Sequence, residues 1–147
     1  AISTARVVRL FGFDPKVAFV SHSTFGQPLT SRTKHIKKAV DILKDKNVDF
    51  EFDGDMQPDV ALNSEYEELY PFAKIVGKAN ILIMPGQHSA AISYKLMKTI
   101  GDTKVIGPLL IGLGLPIEIA PLRTSTSELI NLASIAAYSS EKIDYSK

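Results

Sequence analysis

Along the chain, short apolar runs alternate with segments whose apolar residues recur every three or four positions. Ile2 to Phe11 has helical spacing and stops at Gly12, a residue suited to a helix C-cap. Val17 to Val20 follows Pro15 and predicts a short buried strand. Ser21 to Thr30, rich in Ser, Thr, Gly and Pro, predicts a loop. Ser31 is the expected cap of a helix from Arg32 to Lys46, with Ile36, Ala39, Val40 and Leu43 as its apolar stripe. A second strand is expected over Val48 to Phe52, then a short helix after Gln57 and an apolar-acidic patch from Glu65 to Tyr70. Ile81 to Met84 predicts a third strand, stopped by Pro85 and Gly86, and His88 to Ile100 predicts a helix ending at Gly101. Val105 to Leu113 reads as a longer strand interrupted at Gly107-Pro108, and Ile117 to Ala120 as a brief extended segment. A last helix is expected from Ser127 to about Tyr138, capped by Thr124 or Ser125, with Glu128 in the first turn where the dipole favours an anion.

Strands alternating with helices imply an α/β fold, with a mostly parallel sheet covered by helices on both faces. Ligands of such sheets bind at the carboxyl ends of the strands, where the polar loops after Val20, Phe52 and Met84 fall. Ser21, Ser23 and Thr24 are therefore candidates to hold a phosphate or ribose, or else they satisfy loop backbone. Asn80, expected to be buried at a strand start, is either a ligand contact or a clip on neighbouring backbone. Lys95, beside Tyr94, either reaches an anion or lies along the surface. Gly112-Leu113-Gly114 is a lone G-x-G and does not make a nucleotide fingerprint.

One domain is expected for 147 residues, with residues 1–138 folded and a polar tail over 139–147. A hydrophobic fraction of 45% with 22% charged residues is ordinary for a globular chain. The net charge of +1, with signs interspersed, leaves no electrostatic footprint for nucleic acid. Arg32, Lys34, His35, Lys37 and Lys38 form the nearest thing to a basic cluster and read as a solvated helix face. With no cysteine, disulfides and thiolate chemistry are excluded, which fits a cytoplasmic protein. No apolar run approaches the roughly 20 residues that span a bilayer. The start lacks Met, so the native chain is expected to begin upstream.

Asp53-Gly54-Asp55-Met56-Gln57-Pro58-Asp59-Val60-Ala61 crowds three carboxylates and an amide just after the second strand candidate. Closely spaced carboxylates repel, and each needs a partner. Either the segment holds a ligand, or it is a solvated turn in which Asp59 or Asp55 caps the next helix. The histidines lack metal-ligand spacing, and no metal is expected. The segment resembles the D-G-E-x-Q-x-D-A-A signature of phosphate acetyl/butyryl transferases, with Asp55 in the usual Glu position. Four further blocks follow in that family's order: Val17 to Thr24, Gly77 to Pro85, Tyr94-Lys95, and Gly107 to Leu113.

The resemblance implies an isocitrate/isopropylmalate dehydrogenase-like three-layer sandwich and a cleft that binds a CoA ester. It would include Ser21, Ser23, Thr24, Asp53, Asp55, Asn80, Lys95 and Glu128 among ligand-binding residues. In the family a Ser-Arg pair precedes the last helix, with an acidic residue seven positions after the Ser as base for the CoA thiol. Aligned on Leu115-Pro116-Ile117-Glu118, those positions are Pro121, Leu122 and Glu128, and Arg123 falls one step late. Proline cannot donate and leucine cannot clamp a phosphate, so a catalytically silent homologue is implied, with a shifted role for Arg123 as the alternative. The Ser-His-Ser-Thr-Phe-Gly and Asn-Ile-Leu-Ile-Met-Pro wording also resembles the C-terminal region of large bacterial malic enzymes. That resemblance implies an acetyl-CoA-responsive, oligomerising regulatory module carrying no cofactor of its own. NAD(P) and a divalent metal would then belong to upstream domains that oxidise and decarboxylate malate. A fragment of an active phosphate acyltransferase is the other implied reading. As the C-terminal half of such a domain, the chain is expected to leave apolar surface on its last helix exposed.

Overall fold

The computed structural model describes residues 1–101, 104–113 and 115–142, the side chain of Lys142 excepted. These divide into two compact units, Ala1–Ser93 and Tyr94–Lys147. Gly114 and the tail beyond residue 142 lie outside the described residues.

In the first unit, α1 (Ile2–Leu10), β1 (Lys16–Val20), α2 (Ser31–Asp45), β2 (Glu51–Met56), α3 (Pro58–Leu62), a 3-10 turn at Ser64–Glu67 and β3 (Ile81–Ile83) follow in order. The strands form a parallel sheet in the order β2-β1-β3. β1 is central and almost wholly buried, so its alternating side chains feed two cores. Val17 and Phe19 join Ala5, Val40, Leu43 and Ile81 under α1 and α2. Ala18 joins Met56, Ala61, Ile75 and Ala79 on the other face. This is the expected α/β arrangement, with helices on both faces of a parallel sheet.

Local signals account for most boundaries. α1 ends where Gly12 takes φ +82, with its N–H on Arg9 and that of Phe13 on Val8, a Schellman closure. The N-cap of α2 is Thr30 rather than Ser31: its hydroxyl accepts from the Thr33 N–H while Thr33 Oγ1 accepts from the Thr30 N–H. The second strand also corrects the sequence reading. Val48 to Phe50 precede it, and β2 runs through the acidic segment as far as Met56. Polar side chains there find fixed partners, so the segment extends despite its composition. Gln57, whose side chain makes no capping bond, occupies the N-cap of α3, so neither Asp55 nor Asp59 caps it.

α4 (Gln87–Ile100) and α5 (Thr126–Lys142) match their expected helices, α5 being longer at its end. The strand expected over Val105 to Leu113 does not form. A single antiparallel bridge joins Leu109 to Glu118, and with Gly107-Pro108 nearby no ladder extends. Leu132 is the buried hydrophobic residue of α5, whereas Leu129, Ile130 and Tyr138 are exposed.

Candidate functional site

The acidic signature closes on the loop that leaves β1. Asp55 Oδ2 accepts the hydroxyl proton of Ser23, and Oδ1 accepts the Gly26 N–H at 3.1 Å. Asp53 accepts the Gly54 N–H at 2.9 Å and the Lys74 N–H at 2.7 Å. The Gln57 side chain donates to the His22 carbonyl at 2.8 Å, and its backbone N–H donates to Thr24 Oγ1 at 3.2 Å. Thr24 and Gln27 exchange backbone bonds around a tight Phe25-Gly26 turn, and Phe25 packs on Tyr70 and Phe72. Ser23, Thr24, Asp53 and Asp55 are all buried. Ser23 and Asp55 thus form an internal lock with Gly26, Thr24 is held by Gln57 and Asp53 by Gly54 and Lys74, so each buried carboxylate has backbone N–H or hydroxyl donors as the interior requires.

Asn80 has the clip role its alternative reading gave it. Its Oδ1 accepts the Lys16 N–H at 2.8 Å and its Nδ2 donates to the Asp14 carbonyl at 2.7 Å, fixing the start of β1 against β3. It is exposed rather than buried. Ser21, buried beside exposed His22, is the member of this set that lines an open groove.

The second unit brings the remaining candidates together. Tyr94, Lys95, Lys98, Arg123, Thr124 and Glu128 line a pocket of about 380 Å³, with Pro121 also on its wall. Leu122 does not line it and is fully exposed at 104%. Glu128 is the partner of the helix cap. Ser125 Oγ accepts the Glu128 N–H at 3.3 Å, and Glu128 Oε2 accepts the Ser125 N–H and hydroxyl at 2.8 Å each. Glu128 also lies 3.5 Å from Lys98 Nζ. Lys98, absent from the sequence candidates, sits three residues after Lys95, a helical spacing that puts both on one face. Gln57 was likewise passed over, although it stands inside the signature.

The Ser125 backbone and hydroxyl donors, and then the Lys98 ammonium, hold the Glu128 carboxyl below the usual glutamate range. The stability it contributes is therefore present above the ordinary glutamate range and is lost as pH falls through the lowered value. A carboxyl-carbon NMR titration should place the Glu128 midpoint below the exposed glutamates, and Ser125→Ala should move it back up. An unshifted midpoint would contradict the capping role.

The pocket thus offers three cationic side chains, Lys95, Lys98 and Arg123, and no hydroxyl or clamp at the Pro121 and Leu122 positions. It can hold an anion.

Residues 1–137 match the family described as phosphate acetyl/butaryl transferase. The chain is 46% identical over 138 residues to an NADP-dependent malic enzyme of Rhizobium meliloti (strain 1021), covering 94% of this chain and 18% of that protein. It is 33% identical over 138 residues to the phosphate acetyltransferase of Bacillus subtilis (strain 168), covering 93% of this chain and 43% of that protein. Its structure superposes on a EutD phosphotransacetylase from Staphylococcus aureus with a TM-score of 0.86 at 30% identity, covering 94% of this chain and 43% of the other. The chain therefore spans less than half the length of each of these relatives.

Proposed function

This chain belongs to the phosphate acetyl/butaryl transferase family, and we propose that it serves a larger malic enzyme as a regulatory module responsive to acetyl-CoA. The parent would oxidatively decarboxylate malate to pyruvate with NAD(P), and this segment would bind the CoA ester without transferring its acyl group. The observation that carries the reading is the second-unit pocket. Lys95, Lys98 and Arg123 line it, while Pro121 and an outward Leu122 stand where an acyl-transfer site needs a hydroxyl and a phosphate clamp. Glu128, at the acidic position, is already engaged by Ser125 and Lys98. Binding chemistry is kept and group-transfer chemistry is not. The relationship to malic enzymes, with 18% of the relative's length covered, supports a role inside a longer chain. Exposed Leu129 and Ile130 on α5 are available for burial against the rest of that chain or a second copy.

An effector acts only through differential affinity for two states of the parent. In the complete parent protein, acetyl-CoA titrated into malate-dependent NADP reduction should change the rate saturably. Arg123→Ala should shift the half-saturating concentration upward by about tenfold, the loss of one charge-assisted phosphate contact. Malate turnover indifferent to acetyl-CoA would overturn the effector role.

The presence of Arg123 in the pocket favours one second reading, an acyltransferase with a shifted clamp. It requires acetyl transfer between CoA and phosphate by the complete protein, abolished by Arg123→Ala. Transfer that survives Arg123→Ala rules that reading out.

A further inference from the structure

Among the described residues, Glu128 is the single carboxylate lining the second-unit pocket, beside the three cations. Those cations are not equally available. Arg123 has no ion-pair or hydrogen-bond partner among the described residues, and Lys95 Nζ lies 6.0 Å from the centroid of the Tyr94 ring. Lys98, from α4, is already engaged, 3.5 Å from Glu128 Oε1 of α5. The other carboxyl oxygen, Oε2, accepts the Ser125 N–H and hydroxyl at 2.8 Å each. Glu128 is therefore fixed by its own helix cap while its second oxygen stands against Lys98. The Ser125 donors, and then Lys98, hold this carboxyl below the usual glutamate range, so it is ionised at neutral pH. Two hydroxyls of the pocket are turned inward: Thr99 donates to the Lys95 carbonyl at 2.8 Å and Thr124 to that of Pro121. An incoming anion therefore draws chiefly on the cations.

A bound anion and Glu128 compete for the same ammonium, because Lys98 cannot sit against both without bringing two like charges together. The pair is accessible enough to exchange. The Lys98 and Glu128 side chains are 49% and 36% exposed, and exposed pairs are weak. We propose that Glu128 is a built-in competitor for Lys98, and that a multiply charged anion binds this pocket by taking Lys98 from it. The exchange parts the Lys98–Glu128 bridge, so binding releases a contact between α4 and α5. Glu128 thereby sets how strongly the pocket binds. This rests on the reading of the pocket as an anion site and adds the residue that restrains it.

Inorganic pyrophosphate, compact and multiply charged, is the probe. It is titrated calorimetrically into the complete protein at low salt, where screening is least. Divalent metal is left out, and NADP is added to fill any nucleotide site. Glu128→Gln should bind pyrophosphate about fivefold tighter, the scale of one exposed charge pair. Glutamine suits the same capping box, so this variant is expected to fold. Lys98→Gln should weaken binding, and in that background Glu128→Gln should gain less than about twofold. A carboxylate that merely capped α5 would give no gain, or a loss. No gain in Glu128→Gln, a gain that persists in full without Lys98, or no pyrophosphate binding by either protein would each overturn the proposal. If pyrophosphate behaves as expected while malate turnover ignores acetyl-CoA, the effector reading fails and the exchange stands. Turnover that responds to acetyl-CoA, with no gain in Glu128→Gln, has the reverse meaning.

Discussion

Gly54→Ala is expected to destabilise the protein by about 3 kcal/mol or more. Gly54 lies within β2, opposite Phe19 of the central strand. A Cβ there would stand 2.7 Å from both the Cβ and the carbonyl oxygen of Phe19, distances no real side chain tolerates. Its φ of +147 is also one that L side chains rarely adopt. The obstacle is the neighbouring strand itself, so relief would require β1 and β2 to part. Because β1 feeds both cores, the strain cannot be confined to the edge. Urea denaturation of the wild type and variant checks this, through a large fall in midpoint with little change in slope. A fall of under about 0.5 kcal/mol, the size of an ordinary surface change, would refute the close-approach account.

Asp55→Ala should cost about 2–4 kcal/mol, because it strands the Ser23 hydroxyl and the Gly26 N–H in a buried place. Ser23 is 0% exposed and Asp55 only 4%, so water cannot readily replace the carboxylate. The loop after β1 should loosen as well, because Asp55 ties it at two points and its backbone carbonyl accepts the Phe25 N–H at 2.7 Å. A double-mutant cycle with Ser23→Ala isolates the pair. We expect a coupling of about 1–3 kcal/mol, since once the hydroxyl is gone the carboxylate has less to lose. Faster hydrogen exchange at Phe25 and Gly26 in Asp55→Ala should accompany it. Coupling near zero would mean that the two side chains are held independently and that the lock is not the origin of their burial.

Several features were legible in the sequence because their causes are local. The three-to-four spacing of Ile36, Val40 and Leu43 marked α2, and Gly12 marked the end of α1. The continuous apolar run at Val17 to Val20 marked the strand that proves central. The ordered motif blocks identified the family, since each carries residue types and spacings that composition alone does not produce. What failed was non-local. The acidic signature read as a turn because strand propensity opposes Asp and Gly, yet it is a strand because Ala18 and Phe19 lie alongside to pair with it. Val105 to Leu113 read as a strand because its residues favour one, yet among the described residues it meets only the isolated Leu109–Glu118 bridge.

The candidate site divides in the same way. The sequence alone determined which chemistry is available: three histidines, no cysteine, and Pro121 and Leu122 where its family resemblance calls for a hydroxyl and a guanidinium. Only tertiary structure decided how that chemistry is distributed. It buried Asp53, Asp55, Ser23 and Thr24 and paired Ser23 with Asp55, set Lys95, Lys98 and Arg123 around one pocket, and placed His22, His35 and His88 at another. A carboxylate's role depends on which donor stands within about 3 Å of it. Residues 32 positions apart, such as Ser23 and Asp55, meet only when strand pairing brings their segments together.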